Sequence, residues 1–418
     1  MGNVEQLRHE NEHLRRILDI ARHMAVTNDL DVLLGTIVEA TCEVLGCDRA
    51  TIFLYDAATD ELYSRVAKGV EAIRFPADKG IAGQAAQERC CINVPDAYAD
   101  PRFNPEVDKE TGYHTCTLLT FPLENIQGDL MGVLQALNKR GRPFDEQDEE
   151  LARALSAQAG VALDRGRLLE EFAEKQRMQR DLEVARSIQQ SLFPKANPVV
   201  PGYEVAGWNR SADETGGDAY DFIPLGDGRL AVFLADATGH GIGAALIIAQ
   251  GRSLLRALLS VTQDLPTVAA GVNNLLAEDL DVGRFVTAFI GILDPGAHTL
   301  EYIAGGQGPL LLVSPDRVES RIADALPFAV IPGTEYEAPQ RFELAPGATL
   351  VLLTDGFYEA VDPNDEQFGE QRVVEFVKRN AAVPLTQLVD DLHADIEKFT
   401  RGSKQADDLT AVLIRRSG

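Results

Sequence analysis

Leu230-Ala231-Val232-Phe233-Leu234-Ala235-Asp236-Ala237-Thr238-Gly239-His240-Gly241 is an apolar run that ends on an acid and then breaks into glycines. The run reads as a buried strand, the glycines as a turn, and the stretch that follows, Gly243–Leu259, as an apolar helix. Three other segments repeat the arrangement. Asp218 lies in Gly216-Gly217-Asp218-Ala219-Tyr220-Asp221, before a strand-like run. Asp355 follows Leu350–Thr354 and precedes Gly356, and Asp407 and Asp408 precede the closing run Thr410–Ile414.

Strand ends bring distant residues to one edge of a sheet, and carboxylates gathered there repel one another unless a cation neutralises them. Oxygen-only donors suit Mg²⁺ or Mn²⁺, whereas zinc favours His or Cys. All five cysteines (Cys42, Cys47, Cys90, Cys91 and Cys116) lie in the first third, without C-x-x-C spacing, and read as free thiols in a reducing compartment. Glycines beside the acids allow close backbone approach.

Around these acids, residues 196–418 alternate runs of strands with paired helices. Strands are expected at 220–223, 230–235, 285–293, 300–303, 310–313, 349–353 and 410–414, and helices at 243–259, 267–280, 370–379 and 385–399. The pattern predicts a β-sandwich flanked by helices rather than a doubly wound parallel sheet. Residues 28–165 mix helix and strand signals as an antiparallel sheet with packed helices, so the expected fold class is α+β. A charged helix with an apolar stripe at Val4, Leu7, Leu14, Leu18, Ala21 and Ala25 precedes it over 1–27. Asn28 is the expected N-cap of the next helix. Between the two domains, about 48 residues from Glu146 to Phe193 hold no proline, which predicts one helix of roughly 70 Å. Its second half carries Leu168, Phe172, Met178, Leu182, Ala185, Ile188 and Leu192. Heptad-like spacing there reads as a coiled-coil linker over 166–195 and a parallel homodimer, with Lys175, Gln179 and Gln189 near the seam.

The four acidic motifs, in this order, resemble the PPM (protein phosphatase 2C-like) family of serine/threonine phosphatases. They are most similar to its bacterial branch, typified by the stage II sporulation and stress-response phosphatases. The resemblance spans about 180–416 and takes in Leu182–Pro194 as the helix entering the catalytic domain. It implies two Mn²⁺ or Mg²⁺ ions, with Asp236 bridging both. Asp218 and the Ala237 carbonyl hold one ion, Asp355 and Asp407 the other, and Asp408 is a reserve ligand. It further implies a bridging water that attacks phosphorus in line with the serine or threonine oxygen. The implied substrate is a phosphoprotein such as an anti-sigma-factor antagonist. His240 reads as a cap of the following helix. The sequence departs from the branch at Ala304-Gly305-Gly306-Gln307-Gly308-Pro309, where the branch often has Ala-Gly-His-x-Pro-Pro with its His at position 306, and at Pro327-Phe328-Ala329, where it often has Pro-Leu-Gly.

In the first domain, Phe75–Gly83 reads as a loop opening a helix at Gly83. Asn93-x-Pro95-Asp96, Phe103-Asn104, Thr111-Gly112-Tyr113 and Asn138-Lys139…Phe144…Asp148-Glu149 follow. The last group reads as a structural Lys–Asp tie. Together these segments resemble a GAF domain of the cyclic-nucleotide-binding type over about 20–165. The resemblance implies a pocket lined by Thr51, Ile81, Ala82, Asn104, Asp108, Thr111 and Thr115, for a cyclic nucleotide or another small molecule.

The chain has 418 residues and a net charge of −26. Such an acidic balance disfavours nucleic acid, whose binding needs clustered Lys and Arg, and anionic membrane. Residues 1–16 are too polar for a secretory leader, so the expected compartment is the cytoplasm. A non-catalytic signalling scaffold is the competing reading; it has no need to keep Asp218, Asp236, Asp355 and Asp407. A cyclase reading of Gly216-Gly217-Asp218 fails because no Glu-Phe follows.

Overall fold

In the computed structural model, which describes residues 15, 16, 18–65 and 73–418, the chain forms two units, Met1–Arg177 and Met178–Gly418. In the first, helix α1 covers residues 18–26, and Val4, Leu7 and Leu14 of the expected 1–27 stripe lie outside the described residues. Arg165 donates to the carbonyls of Met24, Ala25 and Thr27 and so closes the end of α1. Asp29, rather than Asn28, caps the next helix, α2 (Leu30–Leu45), by accepting from the Asp31 and Val32 amides. There follow β1 (Cys47–Asp56), β2 (Glu61–Tyr63), β3 (Arg74–Pro76), α3 (Gly80–Glu88), β4 (Ile92–Val94), α4 (Glu106–Thr111), β5 (Leu118–Glu124), β6 (Leu130–Lys139) and α5 (Glu146–Leu192).

These strands form one antiparallel sheet in the order β3-β2-β1-β6-β5-β4. One face packs against α2 and the start of α5, through Leu33, Ile37, Leu134, Leu155 and Ala159. The other carries α3 through Ile81 and Ala85. Gly160 lets α5 press onto β5, since a Cβ there would meet the backbone of Glu124. The tie read in the sequence is present: Lys139 Nζ lies 2.8 Å from Asp148, which also takes Arg142 at 2.7 Å. Helix α3 starts three residues before the expected Gly83.

Helix α5 is one element of 47 residues. The boundary between the units falls inside it, at Arg177/Met178, rather than at the ends of the expected 166–195 linker. Residues 167–181 are exposed on every face, including Leu168, Phe172 and Met178; Leu182 and Ala185 are half-buried.

The second unit contains β7 (Tyr203–Arg210), β8 (Asp218–Pro224), β9 (Leu230–Ala237), α6 (Ile242–Leu259), α7 (Leu265–Asp279), β10 (Val286–Asp294), β11 (Thr299–Gly305), β12 (Leu310–Val313), β13 (Val318–Arg321), β14 (Gln340–Glu343), β15 (Thr349–Leu353), α8 (Gly356–Glu359), α9 (Gly369–Arg379), α10 (Leu385–Phe399) and β16 (Leu409–Arg416). Two five-stranded antiparallel sheets, β14-β11-β10-β9-β8 and β13-β12-β15-β16-β7, enclose a core of Val232, Leu234, Phe289, Tyr302, Leu350 and Val412. Helices α6 and α7 cover the outside of the first sheet, and α8, α9 and α10 that of the second. The expected flanked sandwich is thus the observed one, with β7, β13 and β14 added. Helix α6 is long and apolar enough to cross a membrane, but Ala244, Ile247, Ile248, Leu255 and Leu259 pack into the core beneath it.

Candidate metal centre and ligand cavity

The acids meet at one edge of the sandwich because of strand register. Asp218 opens β8 and stands directly opposite Asp236 of β9. Both therefore lie within strands, not beyond their ends. Asp355 follows β15 and Asp407 precedes β16, two strands that pair side by side in the opposing sheet. Thr354 links the sheets: its hydroxyl donates to Asp218 Oδ2 at 2.7 Å and accepts from the Thr410 amide at 2.9 Å.

The electrostatics follow from this crowding. Asp218 is 2% exposed. Burial, and then the charge of Asp236, push its carboxyl well above the usual carboxylate range. Burial, Asp355 and Asp407 raise Asp236 to about 7. Asp355 is open to solvent, yet the protein around it and Asp407 push it upward as well. Carboxylates that raise one another in this way favour a cation among them. Gly217 keeps the ground clear: a Cβ there would lie 2.8 Å from the Ala237 carbonyl oxygen and 3.4 Å from Asp236 Oδ1. Among the described residues, no three acid, His or Cys side chains already close into a cage. The donor set, all oxygen and lacking His and Cys, fits Mg²⁺ or Mn²⁺.

Asp408 is differently engaged. Its carboxylate accepts from the Ala212 amide at 2.7 Å and the Gly217 amide at 2.6 Å, so it braces the loop before Asp218. Burial raises its carboxyl. His240 is exposed, and the cap of α6 is Gly241 with no side-chain bond, which corrects the capping role expected for it.

Three residues to which the sequence reading gave no part in the site complete the surroundings. Gln189, expected beside a helix seam, is instead buried near the end of α5; it donates to the Gly216 carbonyl at 2.6 Å and accepts from the Gly216 amide at 3.1 Å. Its signal was the short string Ile188–Pro194 that enters the domain. Gln307, at the departure from the family pattern, is buried and donates to the carbonyl of Leu353, two residues before Asp355. Asp221, 0% exposed, takes Arg252 at 2.9 Å and Arg256 at 2.5 Å, tying β8 to α6.

In the first unit a cavity of about 410 Å³ lies between the sheet and α3. Thr51, Ile81, Ala82, Asn104, Asp108 and Thr115 line it, together with Arg49, Lys79 and Tyr113. The side chain of Thr111 lies outside the described residues. The carboxylate of Asp108 is taken by the Thr115 amide and hydroxyl and the Tyr98 hydroxyl. It holds the wall. Arg49 stacks on Tyr113, its guanidinium carbon 4.3 Å from the ring centre.

Comparison with known proteins bears on both units. Residues 29–163 match the GAF domain family, and residues 226–417 match the family described as Stage II sporulation protein E (SpoIIE). The chain is 27% identical over 265 residues to Protein IcfG of Synechocystis, which covers 57% of this chain and 42% of that protein. It is 35% identical over 191 residues to a cGMP-specific 3',5'-cyclic phosphodiesterase of Drosophila ananassae, covering 41% of this chain and 16% of that one. It thus spans less than half the length of either relative. The SiaA-PP2C domain of Pseudomonas aeruginosa aligns with 58% of this chain and 98% of its own, at a TM-score of 0.52 and 20% identity, a likeness of fold. The chain therefore joins a GAF domain to a SpoIIE-type phosphatase domain of the PPM class.

Proposed function

We propose that this chain is a Mn²⁺- or Mg²⁺-dependent phosphatase of phosphoserine and phosphothreonine proteins, set by a small molecule in its GAF domain. The observation that carries the reading is the cross-strand pair Asp218–Asp236, flanked by Asp355 and Asp407 on one sandwich edge. Asp236 would be the shared ligand, Asp218 and the Ala237 carbonyl would serve one ion, and Asp355 and Asp407 the other. Bound divalent cations supply Lewis-acid charge for a phosphoryl group and a more acidic water. The chain's own residues fix the geometry. Thr354 orients Asp218, Asp408 and Gln189 hold the Gly216-Gly217 loop, and Gln307 steadies the strand that leads to Asp355. A signalling phosphoprotein of the anti-sigma-factor-antagonist kind is the substrate class proposed from the branch it resembles.

For the GAF cavity we propose a cyclic nucleotide or another small anionic molecule, supported by Arg49 and Lys79 in its lining and by the likeness to a cyclic-nucleotide phosphodiesterase. The exposed stripe on α5 supports a parallel dimer, since an apolar stripe on a solvated helix gains by pairing. The test is hydrolysis of p-nitrophenyl phosphate with and without Mn²⁺, repeated with cyclic nucleotides. Mn²⁺-dependent turnover that a nucleotide changes is the expected result; no turnover under any metal condition refutes the reading.

A further inference from the structure

A second opening in the phosphatase domain lies beside the acidic edge. This groove, of about 830 Å³, is bounded by Asp407 and Gly356 on the metal-centre side, by the loop after α8, and by the end of α10 with the 400–405 loop. Asp407, assigned to one metal ion, is part of its lining.

Its charge is one-sided. The two basic side chains in its lining are already engaged: Arg210 stands 3.4 Å from Glu397, and Lys404 3.1 Å from Asp213. Asp362 spends its carboxylate on the amides of Asn364 and Glu366. Glu359 and Asp365, both exposed, make no ion pair among the described residues. Unpaired carboxylates on a partly enclosed wall focus a negative potential that attracts cations.

A second observation concerns a buried side chain rather than the exposed Glu359 and Asp365. His393, 8% exposed, lines the same groove. Its Nε2 lies 3.1 Å from Arg210 Nη1, which can only donate, and 3.6 Å from Glu397 Oε1, beyond hydrogen-bond reach, so that nitrogen is the acceptor. Burial and the Arg210 charge hold the ring below its ordinary value, in the neutral form. The proton of that neutral ring then sits on Nδ1, which makes no hydrogen bond among the described residues. The groove thus has in its lining an N–H donor suited to a peptide carbonyl, along with two carboxylates that make no ion pair among the described residues.

We propose that this groove seats a cationic stretch of the substrate protein, one that carries Lys or Arg beside the phosphorylated residue. The proposal rests on the phosphatase reading and adds its specificity. Glu359 and Asp365 select the flanking charge, and His393 positions the backbone.

The test uses the full-length chain with Mn²⁺ and two phosphopeptides that share a core, one flanked by lysines and one by glutamates. The lysine peptide is expected to show about tenfold higher kcat/KM at low salt. That preference should shrink as salt is raised, because exposed charges are screened beyond roughly 10 Å at 0.1 M. The paired substitution Glu359→Gln, Asp365→Asn should lower the preference at least threefold, through KM. Equal kcat/KM for the two peptides, or a preference unchanged in the double variant, overturns the groove assignment. If neither peptide nor p-nitrophenyl phosphate is hydrolysed with Mn²⁺, the phosphatase reading itself falls, and the groove assignment with it.

Discussion

Gln189→Ala removes a single amide, yet it reaches the metal centre. That amide makes both of its bonds to Gly216, at 2.6 and 3.1 Å, in a buried setting. Gly216 precedes Gly217 and Asp218, and the Gly217 carbonyl in turn accepts from the Ala237 amide at 3.0 Å. Each hydrogen bond is worth about 1 kcal/mol net, and each buried backbone group left without a partner costs about 1–3 kcal/mol. The ordered loop therefore loses roughly 2–3 kcal/mol relative to a disordered one. Where only the ordered loop binds metal, apparent affinity falls in proportion to its population. At about 1.4 kcal/mol per factor of ten, the ceiling is roughly 30–150-fold. The assay is a Mn²⁺ titration of p-nitrophenyl phosphate hydrolysis, in which half-saturation moves to higher Mn²⁺ by at least tenfold. Gln190→Ala, one residue along on an exposed position, should leave the curve in place. An unchanged half-saturation in Gln189→Ala would refute the claim that the end of α5 holds the metal loop.

Three further outcomes are expected. Asp236 has a folded value of about 7 against an ordinary 3.8, so between those values the folded state holds a proton that the unfolded state releases. The stability of the metal-free domain then falls as pH rises through that window; Mn²⁺ takes the place of the proton, and the melting-temperature rise it causes should be larger at pH 8 than at pH 6 by calorimetry. Asp148→Asn leaves Lys139, 13% exposed at its side chain, without its carboxylate; denaturant titration should show the GAF domain weakened by about 3 kcal/mol, and a loss under 1 kcal/mol would make the tie incidental. Leu182→Glu with Ile188→Glu should shift the chain from dimer to monomer in sedimentation velocity, whereas an unchanged dimer would place the interface elsewhere.

The acids were legible because each stands in a short local pattern of an apolar run and an acid, with a glycine or, at Asp407, a second acid beside it. What that pattern could not give is register. Asp218 and Asp236 lie opposite one another because β8 and β9 pair residue for residue, and the strands run further than their apolar cores suggest. Strand β7 escaped notice because Tyr203–Arg210 mixes Glu204, Gly207 and Asn209 among its apolar residues. Its pairing with β16 supplies the missing signal. Gln189 was misread as a seam residue because a heptad count sees only one helix, whereas its partner lies 27 residues away. Asp408 was read as a reserve ligand from adjacency to Asp407; the Ala212 and Gly217 amides that claim its oxygens are nearly two hundred residues distant in sequence. In the GAF domain the cavity lining followed from motifs, while the engagement of Asp108 by Thr115 and Tyr98 depends on how a turn closes.

The central claim is that Asp236 joins two divalent ions in a phosphatase centre, and one substitution tests it most directly. Asp236→Asn keeps the side chain's size and its place opposite Asp218 but removes the charge shared by both ions. Hydrolysis of p-nitrophenyl phosphate is measured across a Mn²⁺ series, with circular dichroism confirming the fold. The account predicts that turnover falls by at least a hundredfold, about 2.7 kcal/mol of lost transition-state stabilisation, and that added Mn²⁺ does not restore it. Full Mn²⁺-dependent turnover in the folded variant would contradict it.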